Sequence, residues 1–232
     1  MIMRKWEDLP KQMQNDAVKP YYDHLYTKRF QIFIKRLFDI LASFSLLVLL
    51  SPVLIVVSVA IAVQSGRPIF FRQKRVTQYG REFRIFKFRT MVADAQARGP
   101  QLTTKDDDRI TSIGKRLRDR RLDEIPQLLN ILLGDMSFVG TRPEVPRFVK
   151  HYTPKMMATL LLPAGLTSLA SIQFKNEDAF YGEHSELDHD TVYVQYILPQ
   201  KMQLNLDALK SFSSTGDLIV LINTIKSVLF GS

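Results

Sequence analysis

The stretch that decides the fold is Ile40 to Gln64, ILASFSLLVLLSPVLIVVSVAIAVQ, where 25 consecutive residues carry no charge. At ~1.5 Å per residue, a straight helix of this length outreaches a bilayer hydrocarbon core of about 30 Å. The other reading is a buried core helix, but helices of this length in soluble proteins keep a polar face. Ser51-Pro52 falls at the centre. Proline removes an amide donor and crowds the preceding turn, so the helix bends there, and a neighbouring serine can satisfy the freed carbonyl in lipid. Lys28, Arg29, Lys35 and Arg36 precede the segment, and Arg67, Arg72, Lys74 and Arg75 follow it. Lysine and arginine are enriched on cytoplasmic flanks, so basic clusters on both sides predict a re-entrant hairpin with both ends inside; a kinked span is the competing reading.

On the N-terminal side, residues 1–30 mix charges with Trp6, Tyr21, Tyr22, Tyr26 and Phe30 and carry Pro10 and Pro20. That layout is not the basic-then-apolar pattern of a cleaved signal, and we expect the segment to be retained. On the other side, residues 67–91 alternate aromatic or β-branched residues with basic ones around Gln78-Tyr79-Gly80, predicting a β-hairpin with a cationic face. A solvated surface or a lipid-headgroup contact would look the same. The polar residues 94–112 end in Asp106-Asp107-Asp108-Arg109. Consecutive carboxylates converge poorly on one ion, so a turn or cap is expected there. Helical periodicity runs from Gly114 to Leu133 and places Asp123-Glu124 near a helix start at Pro126, with Gly134-Asp135 closing the helix. A tight loop then carries Arg142. Residues 155–170 are apolar but broken at Pro163 and Gly165, and Asp217 to Phe230 is amphipathic; both could join the core or lie in a membrane interface. His184 and His189, among acidic neighbours, read as a solvated loop rather than metal ligands.

At 232 residues the chain can bury one real core, and its apolar share of 46% with 24% charged residues is that of a folding protein. A formal charge of +9 implies an anionic partner: nucleic acid, anionic lipid or a phosphorylated substrate. The absence of cysteine excludes a disulfide framework, a thiolate metal site and a cysteine nucleophile.

The pattern that carries chemistry is Arg118-Asp119-Arg120-Arg121-Leu122-Asp123-Glu124-Ile125-Pro126-Gln127. The planar fork of arginine suits phosphate oxygens, and a helix N-terminus adds N–H dipoles that favour anions. In such surroundings Asp123 stays ionised and could act as nucleophile or as a magnesium ligand, with Glu124 as partner base or second ligand. The same charges could also be no more than a surface salt-bridge network.

Seven motifs in order are Lys35-Arg36-Leu37-Phe38-Asp39, Ser51-Pro52, Phe71-Arg72-Gln73-Lys74-Arg75, Lys87-Phe88-Arg89-Thr90-Met91, Asp108-Arg109-Ile110-Thr111, Leu122-Asp123-Glu124-Ile125-Pro126-Gln127 and Gly134-Asp135-Met136-Ser137-Phe138-Val139-Gly140. Together they resemble the bacterial sugar transferase family, the monotopic phosphoglycosyl transferases, from about residue 33 to 150. The resemblance implies transfer of a sugar 1-phosphate from a nucleotide sugar, usually a UDP-sugar, to undecaprenyl phosphate with release of UMP, as the first membrane step of glycan assembly. It implies Mg2+ as cofactor, held at Asp123 and Glu124. Asp123 matches the nucleophile that forms a covalent phosphosugar intermediate, and Glu124 its helper. Arg118 and Arg142 match phosphate-holding arginines, Lys87 and Arg89 belong to the basic motif beside the site, and Ser51-Pro52 matches the break of the re-entrant helix. Expected partners are the nucleotide sugar, undecaprenyl phosphate and membrane lipid, without nucleic acid, and a homodimer is compatible. The expected location is the cytoplasmic face of the bacterial inner membrane.

Thr141, Arg121 and Thr77 depart from the family's usual proline, small hydroxyl residue and glycine, and Ser171 from a frequent glutamine. None removes a charged position of the site. The expected architecture is α+β and predominantly helical: an N-terminal segment (1–34), a re-entrant membrane helix-break-helix (35–66) and a compact cytoplasmic catalytic domain (67–232) with a small β-hairpin and interfacial amphipathic helices. Two rivals are a membrane-tethered basic domain that binds nucleic acid or anionic lipid without catalysis, and an inactive adaptor. Neither accounts for the acidic pair.

Overall fold

The computed structural model describes residues 3–92, 94–95, 107–174, 178–184 and 186–230. Helices dominate and the strands are few and short, which agrees with the helix-rich α+β expectation. The apolar segment forms two helices, α2 (Arg29–Leu49) and α3 (Ser51–Ser65), preceded by α1 (Lys19–Thr27). Among the described residues no single helix is long and apolar enough to cross a membrane, but α2 and α3 meet that test together, bent by 61° at the break. Pro52 has no amide to give the Val48 carbonyl four residues back. Ser51 Oγ donates to that carbonyl at 2.8 Å, so the bend leaves it bonded.

Helix α2 reverses the pattern of a helix on a soluble protein. Lys35, Asp39 and Ser43 are buried at helical spacing, while Phe30, Leu41, Phe44 and Leu49 are exposed. Ser43 Oγ donates within the helix to the Ile40 carbonyl at 3.2 Å, but the two charged groups have distant anchors. Lys35 Nζ donates to Asp217 Oδ2 at 2.6 Å, and Asp39 Oδ1 accepts from the Phe138 amide at 3.2 Å. The neighbouring Arg36 donates to the carbonyls of Ile131 (2.6 Å) and Leu132 (2.8 Å). It thereby caps α5 (Gln127–Leu133) at its C-terminal end.

The basic region forms the expected hairpin. β2 (Lys74–Val76) pairs antiparallel with β3 (Glu82–Arg84) around Gln78–Gly80, and β1 (Phe70–Phe71) pairs with β4 (Lys87–Phe88). Its cationic face is not all solvated: Arg75 donates to the Pro143 carbonyl at 2.9 Å, whereas Lys74 stays exposed beside Glu82. β5 (Met136–Val139) and β6 (Ala164–Thr167) run parallel. Gly140, just past β5, and Gly165, within β6, touch so closely that a Cβ on Gly165 would lie 2.2 Å from the Gly140 backbone.

The continuous helix expected over Gly114 to Leu133 is broken into pieces: α4 (Ser112–Asp119), a left-handed Arg121 at φ 53°, a 3-10 turn at Leu122–Glu124, and α5. Pro126 lacks the amide that a continuous helix would give Leu122, and Arg118, Arg120 and Arg121 repel one another at the end of α4. The apolar period survives because its members face two directions. Leu117 and Leu122 pack with Val57 and Ile61 of α3, whereas Ile125, Leu128 and Ile131 pack with Phe138 and with Leu46 of α2.

The largest core lies elsewhere. Met13, Val18 and Leu25 of the N-terminal segment are buried with Leu161, Ile197 and Met202, the last on α6 (Leu198–Lys210). The apolar 155–170 stretch therefore belongs to the core. The closing helix α7 (Ser214–Phe230) keeps Leu218, Ile219, Ile222 and Ile225 exposed.

Candidate active site

Asp123 and Glu124 sit in the 3-10 turn between α4 and α5, both buried, at 2% and 8% exposure. Leu122 and Ile125 fix the turn by packing to opposite sides, one toward α3 and the other toward α2. A separate polar joint ties the hairpin to this helix. Asn130, fully buried, accepts from the Phe86 amide at 2.8 Å and donates to the Arg84 carbonyl at 3.1 Å. Strand β4 is thereby placed against the turn and brings Lys87 to the acidic pair.

Lys87 Nζ lies 2.8 Å from Asp123 Oδ2 and 3.4 Å from Glu124 Oε1. Arg142 Nη2 donates to the same Glu124 oxygen at 2.6 Å, and Arg121 stands 3.9 Å from the other. Burial pushes the Glu124 carboxyl up, but Arg142, Lys87 and Arg121 together hold it well below the usual carboxylate range. Asp123 Oδ2 is different. Lys87 pairs with it by charge at 2.8 Å, and among the described residues this buried oxygen has no hydrogen-bond donor.

A cavity of about 530 Å³ opens beside the pair, and Lys87, Arg89, Arg118, Arg142 and Glu124 reach its wall. Arg75 and the ring of Phe71 line it too, and the sequence pattern did not single these out as site residues. Asp123, 2% exposed, does not reach the wall but is paired at 2.8 Å with Lys87, which does. Arg118 is aimed by Thr90, whose Oγ1 accepts from its Nε at 2.9 Å. Arg89 is committed elsewhere in part: its Nη2 donates to the carbonyls of Ser65 and Gly66 and caps α3. Asn130 could have been found in the sequence, as the lone polar residue in Leu128-Leu129-Asn130-Ile131-Leu132.

The other acidic clusters are turns. Asp107 accepts from the Arg109 amide at 3.0 Å and from its Nε at 2.8 Å, and Asp106 lies outside the described residues. Asp188 caps a short helix by accepting from the Thr191 amide. Among the described residues no group of three or more histidines or carboxylates could hold a metal ion. A magnesium ion needs fewer, because it keeps waters and takes one or two carboxylates with substrate phosphates. The Asp123 oxygen that has no hydrogen-bond donor among the described residues, beside Glu124, fits that requirement once Lys87 gives way.

The chain belongs to the bacterial sugar transferase family, whose model matches residues 30–231. It is 33% identical over 202 residues to a UDP-N-acetylgalactosamine-undecaprenyl-phosphate N-acetylgalactosaminephosphotransferase of Aeromonas hydrophila, covering 86% of this chain and 44% of that protein. It is 35% identical over 166 residues to a UDP-glucose:undecaprenyl-phosphate glucose-1-phosphate transferase of Klebsiella pneumoniae, covering 69% and 36%. A protein of that same description from Caulobacter vibrioides is 33% identical over 198 residues, covering 84% and 69%. The chain thus spans less than half the length of the first two relatives.

Proposed function

We propose that this protein transfers a sugar 1-phosphate from a UDP-sugar to undecaprenyl phosphate, releasing UMP, by way of a phosphosugar intermediate on Asp123. The observation that carries the reading is the buried Asp123-Glu124 pair, held by Lys87 and Arg142, with Glu124 and both cations at the wall of a cationic cavity. The names of the relatives support the donor and acceptor classes.

Phosphoryl transfer is governed by placement and charge neutralisation, which this site can supply. Arg118 and Arg142 hold the diphosphate of the donor. Lys87 follows the incoming charge and uncovers Asp123 Oδ2. That oxygen attacks the sugar phosphorus, the bond to the UMP oxygen breaks, and UMP leaves with the electron pair. Glu124 stays ionised and keeps Arg142 in place. Asp123 and Glu124 would hold magnesium, which when bound offsets charge on the diphosphate.

The same reading makes α2 and α3 a re-entrant membrane hairpin and residues 67–232 the cytoplasmic catalytic part. Its support is the exposed apolar surface of both helices beside a buried polar stripe. An active site at headgroup height can meet a soluble nucleotide sugar and a lipid phosphate in turn. The test is UMP release by purified protein in detergent with magnesium, undecaprenyl phosphate and a panel of UDP-sugars. Release is expected with at least one sugar and is lost in Asp123→Asn; release unchanged by that substitution refutes the mechanism.

A further inference from the structure

Two cavities converge on the same two side chains. Glu124 and Arg142 wall both the basic cavity and a second one of about 420 Å³. The second is apolar: Ala42 and Leu46 of α2 form one side, Leu221 and Ile225 of α7 the other, with Leu128 and Phe138 between them. Its charged lining, among the described residues, is confined to Arg121, Glu124 and Arg142. Beyond the walls, α2 and α7 continue into exposed apolar faces, at Leu41 and Phe44 on one and Leu218 and Ile222 on the other.

From this arrangement we infer that the second cavity seats the first isoprenoid units of the acceptor lipid, with its phosphate against Arg142 and Arg121. The inference rests on the transferase reading. Both displacements are in line with the same Asp123 oxygen, so UMP must leave from, and the acceptor phosphate must arrive at, one shared position opposite it. In the second step an acceptor phosphate oxygen bonds to the sugar phosphorus, the bond to Asp123 breaks, and the electron pair returns to the carboxylate. Substrates that share a phosphate position must send their remaining parts in different directions. The nucleoside has the cavity walled by cations and Phe71; a hydrocarbon chain with an anionic end has the apolar groove that ends in two arginines. Burial of the chain between α2 and α7 is favourable in proportion to the apolar surface covered.

The test uses wild-type protein in lipid nanodiscs with a polyprenyl phosphate carrying a photoreactive diazirine in the isoprene next to the phosphate. Labelling is expected on peptides bearing residues 42–50 and 221–225, suppressed by undecaprenyl phosphate but not by excess phosphatidylglycerol. Label spread over the exposed face of α3, or equal suppression by phosphatidylglycerol, overturns the assignment. A kinetic arm separates the half-reactions. Ala42→Trp, which fills the groove, is expected to raise the KM for undecaprenyl phosphate about tenfold or more, with exchange of labelled UMP into UDP-sugar in the absence of acceptor little altered. Leu41→Trp, on the exposed face beside it, should change neither. Equal loss of exchange and transfer in Ala42→Trp counts against the groove. If wild-type protein exchanges UMP with no UDP-sugar, the transferase reading fails, and the labelling still decides the groove by itself.

Discussion

Lys87 Nζ lies within 3.4 Å of carboxylate oxygens from both Asp123 and Glu124, so a single cation on strand β4 holds two like charges together in a buried turn. Without it the carboxylates would face each other at low dielectric, where repulsion is strong. Replacement by methionine keeps much of the side-chain volume and removes the charge. UMP release by Lys87→Met should fall about 10²-fold or more, the usual loss when one electrostatic contact to a phosphoryl transition state is removed. A decrease of less than threefold would assign Lys87 to stability alone.

Glu124 gives a pH signature. Its carboxyl sits below its ordinary value in the folded protein, so its stabilising effect is complete above the unfolded value of about 4.3 and declines as pH falls below it. Glu124→Gln should lower stability by roughly 1–3 kcal/mol near neutrality, because Arg142 and Lys87 lose their counter-charge while Arg142 stays partly in solvent. Thermal melts in detergent should show this gap constant between pH 5 and 8 and narrowing by pH 3. A gap that widens on acidification contradicts the ion-pair account.

The Lys35–Asp217 pair at 2.6 Å joins α2 to α7 across 182 residues of chain. Its ammonium is nearly buried, so Lys35→Met alone leaves Asp217 unpaired and should destabilise by about 3 kcal/mol or more. Lys35→Met with Asp217→Leu should recover most of that loss, as well-packed apolar replacements of buried pairs do. Additive losses in the double variant would show that the two side chains do not act on each other.

The hairpin reading of α2 and α3 has its own test in a chain with no native cysteine. Single cysteines placed at Phe30→Cys and Pro68→Cys should both resist a membrane-impermeant maleimide in intact cells and react once the membrane is opened. Labelling of either from outside refutes the re-entrant arrangement.

The parts legible in the sequence were those fixed by local chemistry. Pro52 breaks its helix wherever it stands, and Ser51 is next to the carbonyl that needs a donor. The sequence places Asp123 and Glu124 near a helix start, and they lie just before α5, which Gly134 closes in the left-handed region; that the pair is buried in a turn of its own was not legible. What periodicity misjudged was continuity: residues 114–133 alternate between two packing partners rather than along one stripe. The long-range joints were invisible. Nothing near Arg36 marks it as the cap of a helix 95 residues away, and Arg89 was read with the site although it also holds the end of α3. Thr77, a departure from the family's usual glycine, proves to be a buried link: it donates to the Asp135 carbonyl at 2.6 Å and accepts from the Ala164 amide at 3.1 Å.

The central claim is a covalent phosphosugar on Asp123, and intact-protein mass spectrometry reads it directly. Wild-type protein is incubated with magnesium and its UDP-sugar, without acceptor, then quenched. The account predicts a mass gain of one sugar phosphate, mapped to the peptide carrying Asp123, accompanied by UMP, absent in Asp123→Asn and discharged when undecaprenyl phosphate is added. UMP formation only in the presence of acceptor, with no mass gain at any time, would contradict it.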